Sequence, residues 1–219
     1  MISTIRQKAV SLISDSNAVL LPEDCYTNMR YPKILPLMRF KVDQYSVPKF
    51  GHVMIMHTTT KMGMELVTMS FMPNECIDLP YLLIDAMSMK KKRCVFVEYY
   101  GCGLGSFADE TLKYVYDKYC SLPDYDEKEN WYIKERMPYS LIKTGDSESL
   151  IRMASDSIEA YLGSVAKTKI IPEYHDKLKA FRERMIVEGN PSSKTLEMLL
   201  KKDGARTFME TVIMPLKEN

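Results

Sequence analysis

Hydrophobic positions recur along this chain with two different periods, and the change between them divides it near Tyr100. From Ile34 onward the period is close to two. Ile34–Val42 ends in alternation at Met38, Phe40 and Val42, and Gly51–Thr59 and Gly63–Met72 alternate on either side of a turn at Lys61-Met62-Gly63. Leu79–Tyr100 then reads as two apolar strands joined by a tight basic turn, Lys90-Lys91-Lys92. On its first strand Tyr81, Leu83, Asp85, Met87 and Met89 share one face, and Leu82, Ile84, Ala86 and Ser88 share the other. Five strands with short links and no intervening helix predict an antiparallel meander.

Outside that region the helical period dominates. Ile2–Ile13 opens the chain as an amphipathic helix, and Ser14–Tyr31 reads as loop. Ser106-Phe107-Ala108-Asp109 resembles a capping box, opening a helix with Leu112, Val115, Tyr116 and Tyr119 on one side. Pro123–Pro138 is polar and aromatic, a long loop with one helical turn around Trp131, and Tyr139–Thr144 is a further short strand. Ser147–Val165 is a helix with Ile151, Ala154, Ile158, Tyr161 and Val165 at helical spacing, and Pro172–Val187 is another. Asn190-Pro191 supplies an N-cap and a first-turn proline for a helix that stops at Gly204, and Ala205–Ile213 is the last helix. With no repeat and no linker, residues 1–219 are expected to form a single α+β domain, helices on both faces of one antiparallel sheet.

Composition narrows the function classes. A net charge of +1 with 27% charged and 46% hydrophobic residues fits a soluble globular chain and argues against nucleic acid as partner. No apolar run approaches the roughly 18 residues of a membrane span. The first helix lacks the apolar centre of a signal peptide. Five cysteines without CxxC spacing indicate neither a disulfide framework nor a zinc site, and three scattered histidines make no metal cluster. A reducing compartment follows: the cytoplasm, or the plastid stroma if a transit peptide has been removed. A monomer is expected. Gly101-Cys102-Gly103-Leu104-Gly105 ends the sheet, but it is not GxGxxG and lacks the βαβ setting of a dinucleotide site. Seventeen methionines suit a pocket that adapts to a flexible apolar ligand, and equally a methionine-filled core.

Asp85 is the residue with chemical potential. It has apolar neighbours whichever strand face is buried, and desolvation raises a carboxyl pKa. A carboxyl kept protonated near neutral pH can donate a proton. A carboxylate that only accepts local hydrogen bonds fits the same pattern. Glu98 stands in a similar alternation on the next strand, as a second acid or as the partner of a lysine.

Three stretches together resemble the ferredoxin-dependent bilin reductases. Ser70-Phe71-Met72-Pro73 is followed by Pro80 and Asp85 at the family's proline, proline, aspartate spacing. Tyr139–Leu162 runs from strand into helix as in the family, and Leu199–Gly204 followed by Phe208-Met209-Glu210 looks like its C-terminal ending. The resemblance implies a three-layer α/β/α sandwich with a bilin held between the sheet and the C-terminal helices. It implies no metal and no flavin, with reduced ferredoxin as external one-electron donor and side chains supplying protons. Asp85 falls on the proton-donating aspartate. Lys143 falls where the family has an arginine that pairs with a bilin propionate, and Lys194 near a second such residue.

The chain also departs from the family pattern. Thr68 stands where members carry histidine or asparagine, Ser193 where several carry a second aspartate, and His52 aligns loosely with a pocket histidine of one subgroup. Two functions are therefore weighed: reduction of a linear tetrapyrrole such as biliverdin, and a non-catalytic relative that binds a tetrapyrrole or another protein.

Overall fold

Eight strands form one antiparallel sheet in the computed structural model, which describes residues 1–73, 77–102, 110–165, 168–190 and 192–216. The centre of the sheet is a meander of β3 (Met38–Val47), β4 (Gly51–Thr60), β5 (Met64–Pro73), β6 (Tyr81–Met89) and β7 (Lys92–Tyr100). The short strand β8 (Leu141–Thr144) continues it beside β7. Two further short strands, β1 (Val19–Leu20) and β2 (Asn28–Tyr31), share the outer edge of β3. The sequence reads that segment as loop because Pro22 and Asn28 interrupt it; what orders it is pairing with β3, which no local pattern announces, since only Met29 of its strand residues is buried. β3 also starts later than the apolar residues suggest. Ile34, Leu35 and Leu37 are exposed, because Pro32 and Pro36 have no backbone N–H to give to a ladder.

The strands bury both faces, which gives the expected three layers. Helices α1 (Ile2–Asp15), α2 (Glu110–Tyr119) and α3 (Ser147–Ser164) pack on one face, against Val53, Ile55, Val67, Met69, Ile84, Ala86 and Val97. Each buried valine, isoleucine or methionine among them contributes about 1.5–3 kcal/mol, and the single methyl of Ala86 less. Ile2, Ile5, Ala9 and Ile13 form the buried stripe of α1. Asp146 caps α3 by accepting from the Glu148 and Ser149 amides at 2.9 Å, and the Tyr161 hydroxyl pins that helix to the Pro80 carbonyl at 2.6 Å. Among the described residues no helix is long and apolar enough to cross a membrane.

The opposite face carries α4 (Tyr174–Val187), α5 (Ser193–Phe208) and a closing π-type turn (Met209–Ile213). Ser70 of β5 fastens that turn by donating to the Ile213 carbonyl at 2.5 Å. Gly204 does not end α5 as expected. The helix runs through it to Phe208, and its interruption falls at Lys201, whose φ of 63° and ψ of 173° lie outside helical space. Gly204 leaves room for close packing instead, since a Cβ there would come within 3.1 Å of the Leu200 Cβ. Asn190 does not cap α5 directly: its side-chain oxygen accepts from the Ser192 amide at 2.9 Å in the turn before the helix. Pro191, the capping box at Ser106–Asp109 and Gly103–Gly105 lie outside the described residues.

Candidate active site

On β6 the alternation leaves Tyr81, Leu83, Asp85 and Met87 on the α4/α5 side, while Leu82, Ile84 and Ala86 join the other core. The register aligns Met56, Thr68, Asp85 and Phe96 in one row across β4 to β7. Asp85 therefore sits mid-sheet, beneath α5 and the segment that follows α2. Thr68 donates its hydroxyl to Asp85 Oδ1. Above this row lies a cavity of about 310 Å³, a size within the lower range of small-molecule sites. Met38, Met56, Met64 and Met87 form much of its wall, with Phe96, Tyr125 and Tyr132, and Asp85 opens into it.

Burial dominates the chemistry of Asp85. Removal from water pushes its carboxyl up from 3.8 to about 7; the negative charge of Glu98 adds to the rise, and the Thr68 hydrogen bond opposes it. Glu98 lies diagonally across the β6–β7 pair and is buried, but it is not a free acid. Its Oε1 accepts from the Tyr100 hydroxyl at 2.8 Å and from Arg136 Nε at 2.7 Å. Arg136 reaches on to Glu127 with two further bonds of 2.6 and 2.8 Å, so one guanidinium is clamped between two carboxylates. Burial raises the Glu98 carboxyl pKa, and Arg136 and Tyr100 pull it back. The expected lysine partner is thus an arginine. It is carried by the segment between α2 and β8 and placed there by a bridge between Tyr100 and Arg136.

The other residues singled out by sequence fall in different places. Lys143 does not line the cavity. It pairs with Val95, whose side chain faces the α1–α3 core, so strand alternation carries Lys143 to the far side of the sheet. There its ammonium donates to the Cys120 carbonyl at 2.7 Å and to Asp124 at 2.6 Å. Ser193 lines a separate cavity between α4 and α5, with its hydroxyl accepting from the Asn190 amide at 2.8 Å, while Ser192 and Thr195 reach the Asp85 cavity. Lys194 is exposed on the first turn of α5. His52 shares the face of Met56 but lies four residues up β4, about 13 Å away at the usual strand rise. Its Nε2 stands 3.2 Å from Gln44 Oε1, and burial lowers its pKa to about 4, which leaves it neutral at neutral pH.

Arg136, Glu127, Tyr132 and Thr58 belong to the cavity and were not singled out in the sequence. The aromatic and polar composition of Pro123–Pro138 was the available signal for the first three. The arrangement can deliver a proton at neutral pH from one carboxyl into an apolar, sulfur-rich space. Among the described residues no group of three or more His, Cys, Asp or Glu is placed to hold a metal ion.

No family model and no curated protein matches the chain. Among solved structures, phytochromobilin synthase from tomato, crystallised in complex with biliverdin, matches with a TM-score of 0.75 and 12% identity over 95% of this chain and 82% of that one. Identity that low carries no side-chain chemistry across, but the backbone likeness spans nearly every element, and the chain has the α/β/α fold of phytochromobilin synthase.

Proposed function

We propose that the chain is a distant member of the ferredoxin-dependent bilin reductases and reduces biliverdin or a related linear tetrapyrrole, with Asp85 as proton donor. One observation carries this reading: a carboxyl pushed up to about 7 on the floor of a methionine-walled cavity, in a fold shared with a biliverdin-bound protein. Saturating one double bond takes two electrons and two protons. Reduced ferredoxin supplies the electrons singly. After the first, the bilin radical anion takes the proton of Asp85, whose carboxylate is reprotonated from solvent through the cavity mouth. The second electron and proton complete the step. Lys128 at the cavity rim and the exposed Lys194 nearby in sequence to Thr195 supply the cations for two propionates; Lys143, on the other face, takes no part.

A second reading, a bilin-binding protein without turnover, is favoured by one specific observation. Glu98 and Glu127, which also line the cavity, are both tied to Arg136, which leaves Asp85 as the one acid there without a cationic partner among the described residues. Absorbance spectra of the protein with biliverdin, before and after adding reduced ferredoxin, separate the two. A shift on mixing followed by a further change only with reductant supports reduction. A shift on mixing and no further change supports binding alone. Asp85→Asn should bind biliverdin, accept one electron and stall as a radical visible by electron spin resonance. Turnover of that variant at the wild-type rate would remove Asp85 from the mechanism.

A further inference from the structure

One polar group of the cavity has no use in the reading above. Thr58 of β4 is 2% exposed and lines the cavity, and among the described residues its hydroxyl has no hydrogen-bond partner. The cause is its position. Its register neighbours on the two adjoining strands are Phe40 and Leu66, and neither can accept or donate. A buried hydroxyl without a partner is costly, and native structures seldom leave one so. At a cavity wall, a ligand can complete it.

The sheet fixes where this group stands relative to Asp85. Thr58 lies two strands away and two residues along, which at the usual strand spacing and rise is about 12 Å. Glu98 and Arg136 lie on the opposite side of Asp85, displaced the other way along the strands. The neighbours of Thr58 along and across the strands on the same face are Met56, Thr60, Phe40 and Leu66, and none of these is a cation. A carboxylate there would lose its hydration without compensation. A neutral group that can both accept and donate suits a hydroxyl in an apolar wall, and the lactam of a terminal pyrrolinone ring is such a group.

We infer that Thr58 anchors one terminal lactam of the ligand, so that a different part of the same tetrapyrrole is held over Asp85. This rests on the bilin reading. Thr58 is then a positioning residue: it sets which part of a long ligand meets the acid, and it does no proton transfer itself.

The test is absorbance titration of the full chain with biliverdin, for wild type, Thr58→Val and Thr58→Ser, with the thermal midpoint of each ligand-free protein. Valine matches threonine in shape and removes an unpaired hydroxyl, so ligand-free Thr58→Val should melt at or above the wild-type temperature. Its Kd for biliverdin should rise roughly five- to tenfold, the worth of one hydrogen bond. Thr58→Ser keeps the hydroxyl and should stay within about twofold of wild type. Wild-type affinity in Thr58→Val overturns the anchor and leaves the bilin reading intact. A lower melting temperature in ligand-free Thr58→Val shows a structural partner for the hydroxyl and also overturns it. Failure of the wild type to bind biliverdin overturns the bilin reading and the anchor with it.

Discussion

Replacing Asp85 by asparagine should make the protein more stable, and by an amount that depends on pH in a defined way. In the unfolded chain this carboxyl titrates near 3.8, and in the folded protein near 7. Below pH 3.8 both states hold the proton, and the group carries no penalty. As pH rises from there to about 7, the unfolded chain releases the proton while the folded protein retains it, so stability falls by about 1.4 kcal/mol per pH unit. Above about 7 both states are ionised and the loss levels off. Asparagine keeps an oxygen to accept from Thr68 but has no charge to desolvate. The stability gap between Asp85→Asn and wild type should therefore widen by about 2–3 kcal/mol between pH 5 and pH 8, in favour of the variant. Urea denaturation of both proteins at fixed ionic strength measures the gap, and other titrating groups cancel in the difference unless they touch Asp85. A gap that stays constant over that range would mean the carboxyl titrates normally, and the case for a proton held at neutral pH would collapse.

Two further substitutions probe the surroundings. Arg136→Ala removes the guanidinium bonded to both Glu98 and Glu127 in the cavity and should cost about 3–5 kcal/mol in urea denaturation at neutral pH, since it strands a buried carboxylate; a loss under 1 kcal/mol would show that water replaces the guanidinium. Lys143→Met should leave biliverdin affinity within about twofold of wild type by absorbance titration, because the side chain points away from the cavity, and a tenfold loss would contradict that placement.

Much of the framework is determined by residues that are neighbours in sequence. Alternation along Gly51–Thr60, Met64–Pro73 and the Tyr81–Tyr100 hairpin specifies strands, their turns and the sorting of side chains into two faces, because the pleat has a period of two. The same pattern places Asp85 among apolar residues without reference to any other part of the chain. The helical stripe of Ile2, Ile5, Ala9 and Ile13 is legible for the same reason. Which of two buried faces carries a cavity is a different kind of question. Asp85 and Lys143 both lie on apolar strands, yet only the packing of α4 and α5 on one side, and of α1–α3 on the other, separates an acid in a cavity from a lysine paired with Asp124. The partner of Glu98 was decided in the same way. Arg136 comes from a loop 38 residues further on, and only the closing of that loop over β7 brings the guanidinium to the carboxylate. Thr58 was one threonine in a row of three until the register set Phe40 and Leu66 beside it. Local periodicity determines which residues share a face; long-range packing alone determines what that face meets.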